Sequence, residues 1–184
     1  MIVSTDIRLA SMLSALTGTI LPEIAEHGFA REQAELLAGH LNALRVQGAF
    51  AEEFERLEFN YTRNLAREIL RDSTGGEMTT AATARVQSAL DEKAPTDITD
   101  IRAAQSILTS LIAELVSAQG IDGGAASVVW STRTIVDAEH GQSLRDRSFF
   151  SPFGYESGSD EVKPIEEMMG DFRKQFNEDS GATR

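Results

Sequence analysis

The chain has 184 residues, 41% of them hydrophobic and 25% charged, which suffices for one packed core plus a tail. Its formal charge of −12 speaks against nucleic acid and anionic membrane surfaces, both of which require clustered Lys and Arg. With no cysteine, disulfides, thiolate catalysis and Cys-based zinc sites are excluded.

At the N-terminus Asp6 comes early, Arg8 is the first basic residue, and no secretory cleavage pattern follows. The uncharged run 9–22 is diluted by Ser11, Ser14, Thr17, Gly18 and Thr19, and is shorter than the ~18 apolar residues of a membrane span. The expected location is the cytoplasm. A first helix should begin at Thr5 or Asp6, whose side chains suit an N-cap. Leu9, Leu13, Leu16, Ile20 and Ile24 then share one helical face, with a kink at Pro22 and a stop at Gly28.

A second helix is predicted over 30–47, burying Ala34, Leu37, Leu41 and Leu44. The third has the clearest stripe, Phe50, Phe54, Leu57, Tyr61, Leu65 and Ile69, opposite a face dense in Glu52, Glu55, Arg56, Arg63 and Arg67. The second stripe extrapolates to 48 and 51, yet the third restarts at 50, so the helix breaks or kinks at Gly48. Arg63 and Arg67 read as solvated partners of nearby glutamates; an arginine buried there would instead suit a carboxylate ligand.

Ser73-Thr74-Gly75-Gly76 is a loop. A fourth helix over 77–93 turns Met78, Ala82, Val86, Ala89 and Leu90 inward and stops before Pro95. Asp97 and Asp100 open a fifth, where the helix dipole favours carboxylates; Ile101, Gln105, Leu108, Leu111, Ile112 and Leu115 form its stripe, up to Gly120. Asp122-Gly123-Gly124 then turns the chain into a sixth over 125–147, with Val128, Val129, Thr132, Ile135 and Val136 inward. So short a loop implies an antiparallel hairpin. Neither an internal repeat nor strand alternation is present.

From Ser148 the composition changes. Phe149, Phe150, Phe153 and Tyr155 crowd a loop-like stretch, and the polar, Gly/Ser-containing run 156–163 reads as a linker. Behind Pro164, residues Ile165, Met168, Met169, Phe172 and Phe176 fall on one face of a short helix. Such a Met/Phe face docks on its own bundle, on a second copy, or on another protein.

Signatures of chemistry are sparse. Gly75-Gly76 and Gly123-Gly124 lack the Lys-Ser/Thr of a phosphate loop and read as turns. The Glu-x-x-His pairs of di-metal bundles are absent; Asp137 with His140 and Glu23 with His27 are incomplete, so no metal and no cofactor is expected. No serine sits in a G-x-S-x-G elbow, and Glu52-Glu53 and Glu166-Glu167 point apart on helices.

The sequence thus predicts an all-α fold, a single antiparallel helical bundle of about five to six helices over 1–147, followed by a tail over 148–184 carrying one short amphipathic helix. The functional expectation is a non-catalytic interaction or accessory protein, a homodimer whose tail is the docking arm through Phe149, Phe150, Phe153, Tyr155, Ile165, Met168, Met169, Phe172 and Phe176. The alternative is a helical enzyme or small-ligand binder with a polar pocket lined by His40, Tyr61, Trp130, Asp137 and His140.

Overall fold

A computed structural model describes residues 4–153 and 162–181, with side chains to residue 174. Among them are seven α-helices and no strand: α1 (Thr5–Ala15), α2 (Phe29–Gly48), α3 (Ala51–Arg71), α4 (Glu77–Asp91), α5 (Ile98–Asp122), α6 (Ala125–Phe150) and α7 (Ile165–Gly181). The all-α fold is as expected. The helices group into two compact units, Met1–Ala51 with Leu144–Arg184, and Glu52–Ser143. This division does not coincide with the change of composition at Ser148.

In the first unit, α1 is capped one residue earlier than the sequence suggested: Ser4 Oγ accepts from Ile7 N at 3.3 Å. The helix continues as a π turn, Leu16–Ile20, and a 3₁₀ turn, Leu21–Glu23. Pro22 offers no amide and its ring crowds the carbonyl one turn back, so regular α geometry cannot run through it. Gly28 precedes α2 instead of closing α1. Arg45, late in α2, pairs with Asp6, early in α1, at 2.9 Å, while Arg31, early in α2, donates to Leu21 O at 3.3 Å. Those contacts make α1 and α2 an antiparallel hairpin.

Residues that meet neighbours on α2 are Ala34, Ala43 and Gln47, all buried. Leu37 and Leu44, expected inside, are exposed, which corrects the α2 stripe. Small side chains at the contacts let the backbones approach, and the leucines are left outside. The joint between α2 and α3 is a true break: Ala49 and Phe50 close on Val46 and Gln47 carbonyls, and α3 starts afresh.

The aromatic stretch is also more ordered than a loop. α6 runs on through Phe150, and Ser151–Phe153 is a 3₁₀ turn. Gln47 Nε2 donates to Phe149 O at 2.9 Å, fastening this corner to α2. In α7, Pro164 O accepts from the amides of Glu167 and Met168, and Ile165, Met169 and Phe172 are buried.

The second unit is built on a heavier core. Ala66 and Ile69 of α3, Ala82, Val86 and Leu90 of α4, and Leu108, Ile112, Leu115 and Ala118 of α5 form one cluster, with Ile135 of α6 packed against it. Asp97 caps α5 by accepting from Thr99 N at 2.8 Å. The fifth helix passes Gly120 and ends at Asp122. It is the one described helix long and apolar enough to span a membrane by length and composition, with a best-window mean hydropathy of 1.2. Here its Ile101, Leu108, Ile112 and Leu115 are buried.

Two faces differ from the sequence reading. Met78 is exposed and Thr79 takes the inward position on α4. On α6, Val129, Thr132 and Val136 face solvent, whereas Ser127 and Ser131 are buried. The reason is the junction at the base of α6. Gly75 and Gly123 pair as an isolated antiparallel bridge, with Gly76 N donating to Asp122 O at 2.9 Å and Gly124 N to Thr74 O at 2.8 Å. A Cβ on Gly123 would lie 2.5 Å from Gln119 O, so only glycine fits. Ser127 Oγ accepts from Thr74 N at 3.2 Å and from Gln119 Nε2 at 3.0 Å, which rotates the serine face inward.

Candidate functional site

Helix α2 presents the most concentrated uncovered apolar surface of the first unit. Phe29 is 75% exposed, Leu36 49%, Leu37 52% and Leu44 50%. Residues 36–44, Leu-Leu-Ala-Gly-His-Leu-Asn-Ala-Leu, contain no Asp, Glu, Lys or Arg. Nothing on that stretch adds to the chain's net charge of −12.

His40 stands in the middle of this face. Its Nδ1 lies 2.8 Å from Leu36 O. A carbonyl only accepts, so Nδ1 carries the proton and Nε2 offers a lone pair in the neutral ring. The ring meets Phe153 edge-on at 5.0 Å. Phe153 in turn lies 6.0 Å from Phe150, and Phe150 5.8 Å from Phe149. Phe150 is more than half exposed. The α2 face and this aromatic corner therefore meet at His40.

The remaining pocket candidates lie on α3 and α6. Trp130 has a structural role, since its Nε1 donates to Glu68 O at 2.8 Å, one of the end carbonyls of α3 that lack a helical partner. Arg71 covers the same ring, its guanidinium carbon 4.8 Å from the centroid, a cation–π contact. Tyr61 is half-buried on α3. Asp137 and His140 are exposed on α6, Asp137 lying 3.9 Å from Arg133 Nε. None of these candidates lines the cavities beside Arg63, Met78 or Arg67. Among the described residues, no three His, Asp or Glu side chains gather as metal ligands would.

Of the tail residues, Ile165, Met169 and Phe172 are buried and Met168 is half-buried. Tyr155 and the Phe176 side chain lie outside the described residues. Sequence reasoning missed Phe29 and Leu36. The signal for Leu36 was available in the uncharged run 36–44, which carries leucines on more of the helix circumference than one buried stripe needs.

The glycine pairs are structural. Asp122 reaches across from α5 to cap α4: Oδ2 accepts from Met78 N at 2.8 Å, and Oδ1 from Thr79 N at 3.0 Å and Thr79 Oγ1 at 2.6 Å. The Thr79 hydroxyl, with the amides of Met78 and Thr79, holds the Asp122 carboxyl below its usual range. The junction is fully used in joining two loops, leaving no phosphate cradle.

Fold and surface define an all-α protein whose first unit exposes an aromatic–aliphatic face. No protein-family model matches the chain, and no characterised protein or solved structure is similar to it.

Proposed function

We propose that this protein is a helical interaction module that works as a homodimer, with α2 and the Phe150–Phe153 corner as its contact surface. The observation that carries the reading is the exposed, charge-free run of α2 around Leu36, Leu37 and Leu44. Two chains of net charge −12 repel one another over most of their surfaces. They approach at least cost where no carboxylates meet, and there the burial of leucine and phenylalanine drives association. Aromatic side chains such as Phe29 and Phe150 are of the kind enriched at such contacts. The burial of Ile165, Met169 and Phe172 supports reading the tail helix as a brace on its own chain, with the docking done beside it by Phe150 and Phe153.

Sedimentation velocity on the full chain, with native mass spectrometry beside it, tests this. The wild type is expected to sediment as a dimer at micromolar concentration. Leu37→Asp is expected to sediment as a monomer with unchanged helical circular dichroism. A wild type that stays monomeric across the concentration series refutes the reading.

A further inference from the structure

Arg63 belongs to the second unit, and its chemistry does not depend on any dimer. The side chain sits one turn after the buried Phe59, its guanidinium carbon 5.7 Å from that ring's centre. Its Nη2 donates to Leu90 O at 2.8 Å. Leu90 is in the last turn of α4, where carbonyls have no partner within the helix. Two unrelated contacts thus fix the guanidinium, and Arg63 is half-buried where a solvated position was expected.

A guanidinium has five N–H donors, and Leu90 uses only one edge of this one. Among the described residues no carboxylate pairs with it. Burial, together with the like charge of Arg67, lowers its pKa from the ordinary arginine value. An arginine in this condition is short of an anion.

Beside it opens a cavity of about 330 Å³, with Phe59, Ala104 and Leu108 in its apolar lining and Lys93 as a second cation. That volume is near the lower end of small-ligand sites, roughly 300 Å³ upward. Glu92 and Asp100 also line it; both are exposed, and neither is paired with Arg63 or Lys93. These two carboxylates disfavour a second negative charge on anything that enters. An arginine fork held in place recognises one carboxylate through paired charge-assisted hydrogen bonds.

We infer that the cavity beside Arg63 binds a small monocarboxylate with a compact apolar body, its carboxylate on the Arg63 guanidinium and its apolar part against Phe59 and Leu108. Lys93 adds attraction at longer range. The ammonium moves freely on its stem, so it contributes charge more than geometry.

Amide and side-chain NMR shifts of the full-length protein, titrated with phenylacetate and with the neutral phenylacetamide, provide the test. Phenylacetate is expected to give saturable shifts at Arg63, Ala104 and Leu108, and phenylacetamide to bind at least about tenfold more weakly. Arg63→Gln should weaken phenylacetate by a similar factor and leave phenylacetamide unaffected. Since that variant also loses the Leu90 contact, Ala104→Leu provides a second arm, filling the cavity while keeping the guanidinium; it should abolish binding of both. Equal binding of acid and amide, shifts scattered over the surface, or no saturation would each overturn the assignment.

Discussion

The two units are made of the same kind of helix and spend their apolar residues differently. In the second, Ile69, Val86, Leu108, Ile112 and Leu115 pack in one cluster, and alanines fill between them. In the first, the buried positions of α2 are Ala34, Ala43 and Gln47, and Leu36, Leu37 and Leu44 remain outside. Burial of a leucine side chain contributes about 1.5–3 kcal/mol. The second unit realises that gain in one cluster spread over α3, α4 and α5, although Met78, Ile107, Ile121, Val129 and Val136 stay exposed; in the first, Leu16, Ile165, Met169 and Phe172 are buried while the α2 leucines are not. Where apolar residues lie relative to the contacts, more than how many there are, decides which of them are buried.

One substitution placed in both units tests this contrast most strongly. Leu57 is 1% exposed, so Leu57→Asp leaves a buried, unpaired carboxylate and should destabilise the protein by more than about 4 kcal/mol. Leu37→Asp puts the same charge on a surface already in water; apart from any loss of association, it should alter monomer stability by less than about 0.5 kcal/mol. Urea denaturation of both variants at low protein concentration makes the comparison. A soluble, fully helical Leu57→Asp protein would remove the distinction between the units.

The loop junction allows a subtler probe of the closed unit. Gly123→Ala forces a methyl to within 2.5 Å of Gln119 O, a backbone atom that cannot rotate away. The expected loss is about 1–3 kcal/mol, with faster amide exchange at Gly76 and Gly124, the two donors of the bridge. Gly39 of α2, with nothing within 4 Å of an added Cβ, is the matched control: Gly39→Ala should stabilise the open unit slightly.

Acid should also act on the junction, with the smallest effect of the series. The folded carboxyl of Asp122 titrates below its ordinary value of 3.8. Its bonds to Thr79 and Met78 are therefore fully in place above about pH 4, and their contribution is lost as the pH falls through the lower folded value. Exchange of the Thr79 amide should accelerate in that window. Asp122→Asn, which cannot ionise, should show fast exchange at neutral pH and a flatter acid response. An unchanged wild-type profile between pH 5 and 2 would show that the cap carries no linkage.

Much of the fold was legible because periodicity and punctuation are local. The stripe through Leu57 and Ile69, the Asp97 cap, the break after Gly48 and the turns at Gly75-Gly76 and Gly123-Gly124 each follow from a few neighbouring residues. The α2 face was misread for a definite reason: Leu37 and Leu44 repeat as a buried stripe would, and a sequence does not reveal which side of a helix meets a neighbour. The same holds for α6, where Ser127 turns inward because Gln119 on α5 and Thr74, distant along the chain, supply its hydrogen bonds.

By itself, the sequence determined an all-α chain, the loops that separate most of its helices, the excess of negative charge and the lack of a thiol. Those properties depend on backbone propensity and residue chemistry over a turn or two of helix. Tertiary structure alone decided the grouping of α1 with α2 in one unit and of α4 with α5 in the other, the outward leucines and the inward serines. It also decided the half-buried placement of Arg63 between Phe59 and Leu90. These depend on contacts between residues far apart in the chain, and an amphipathic helix can meet such partners on more than one of its faces.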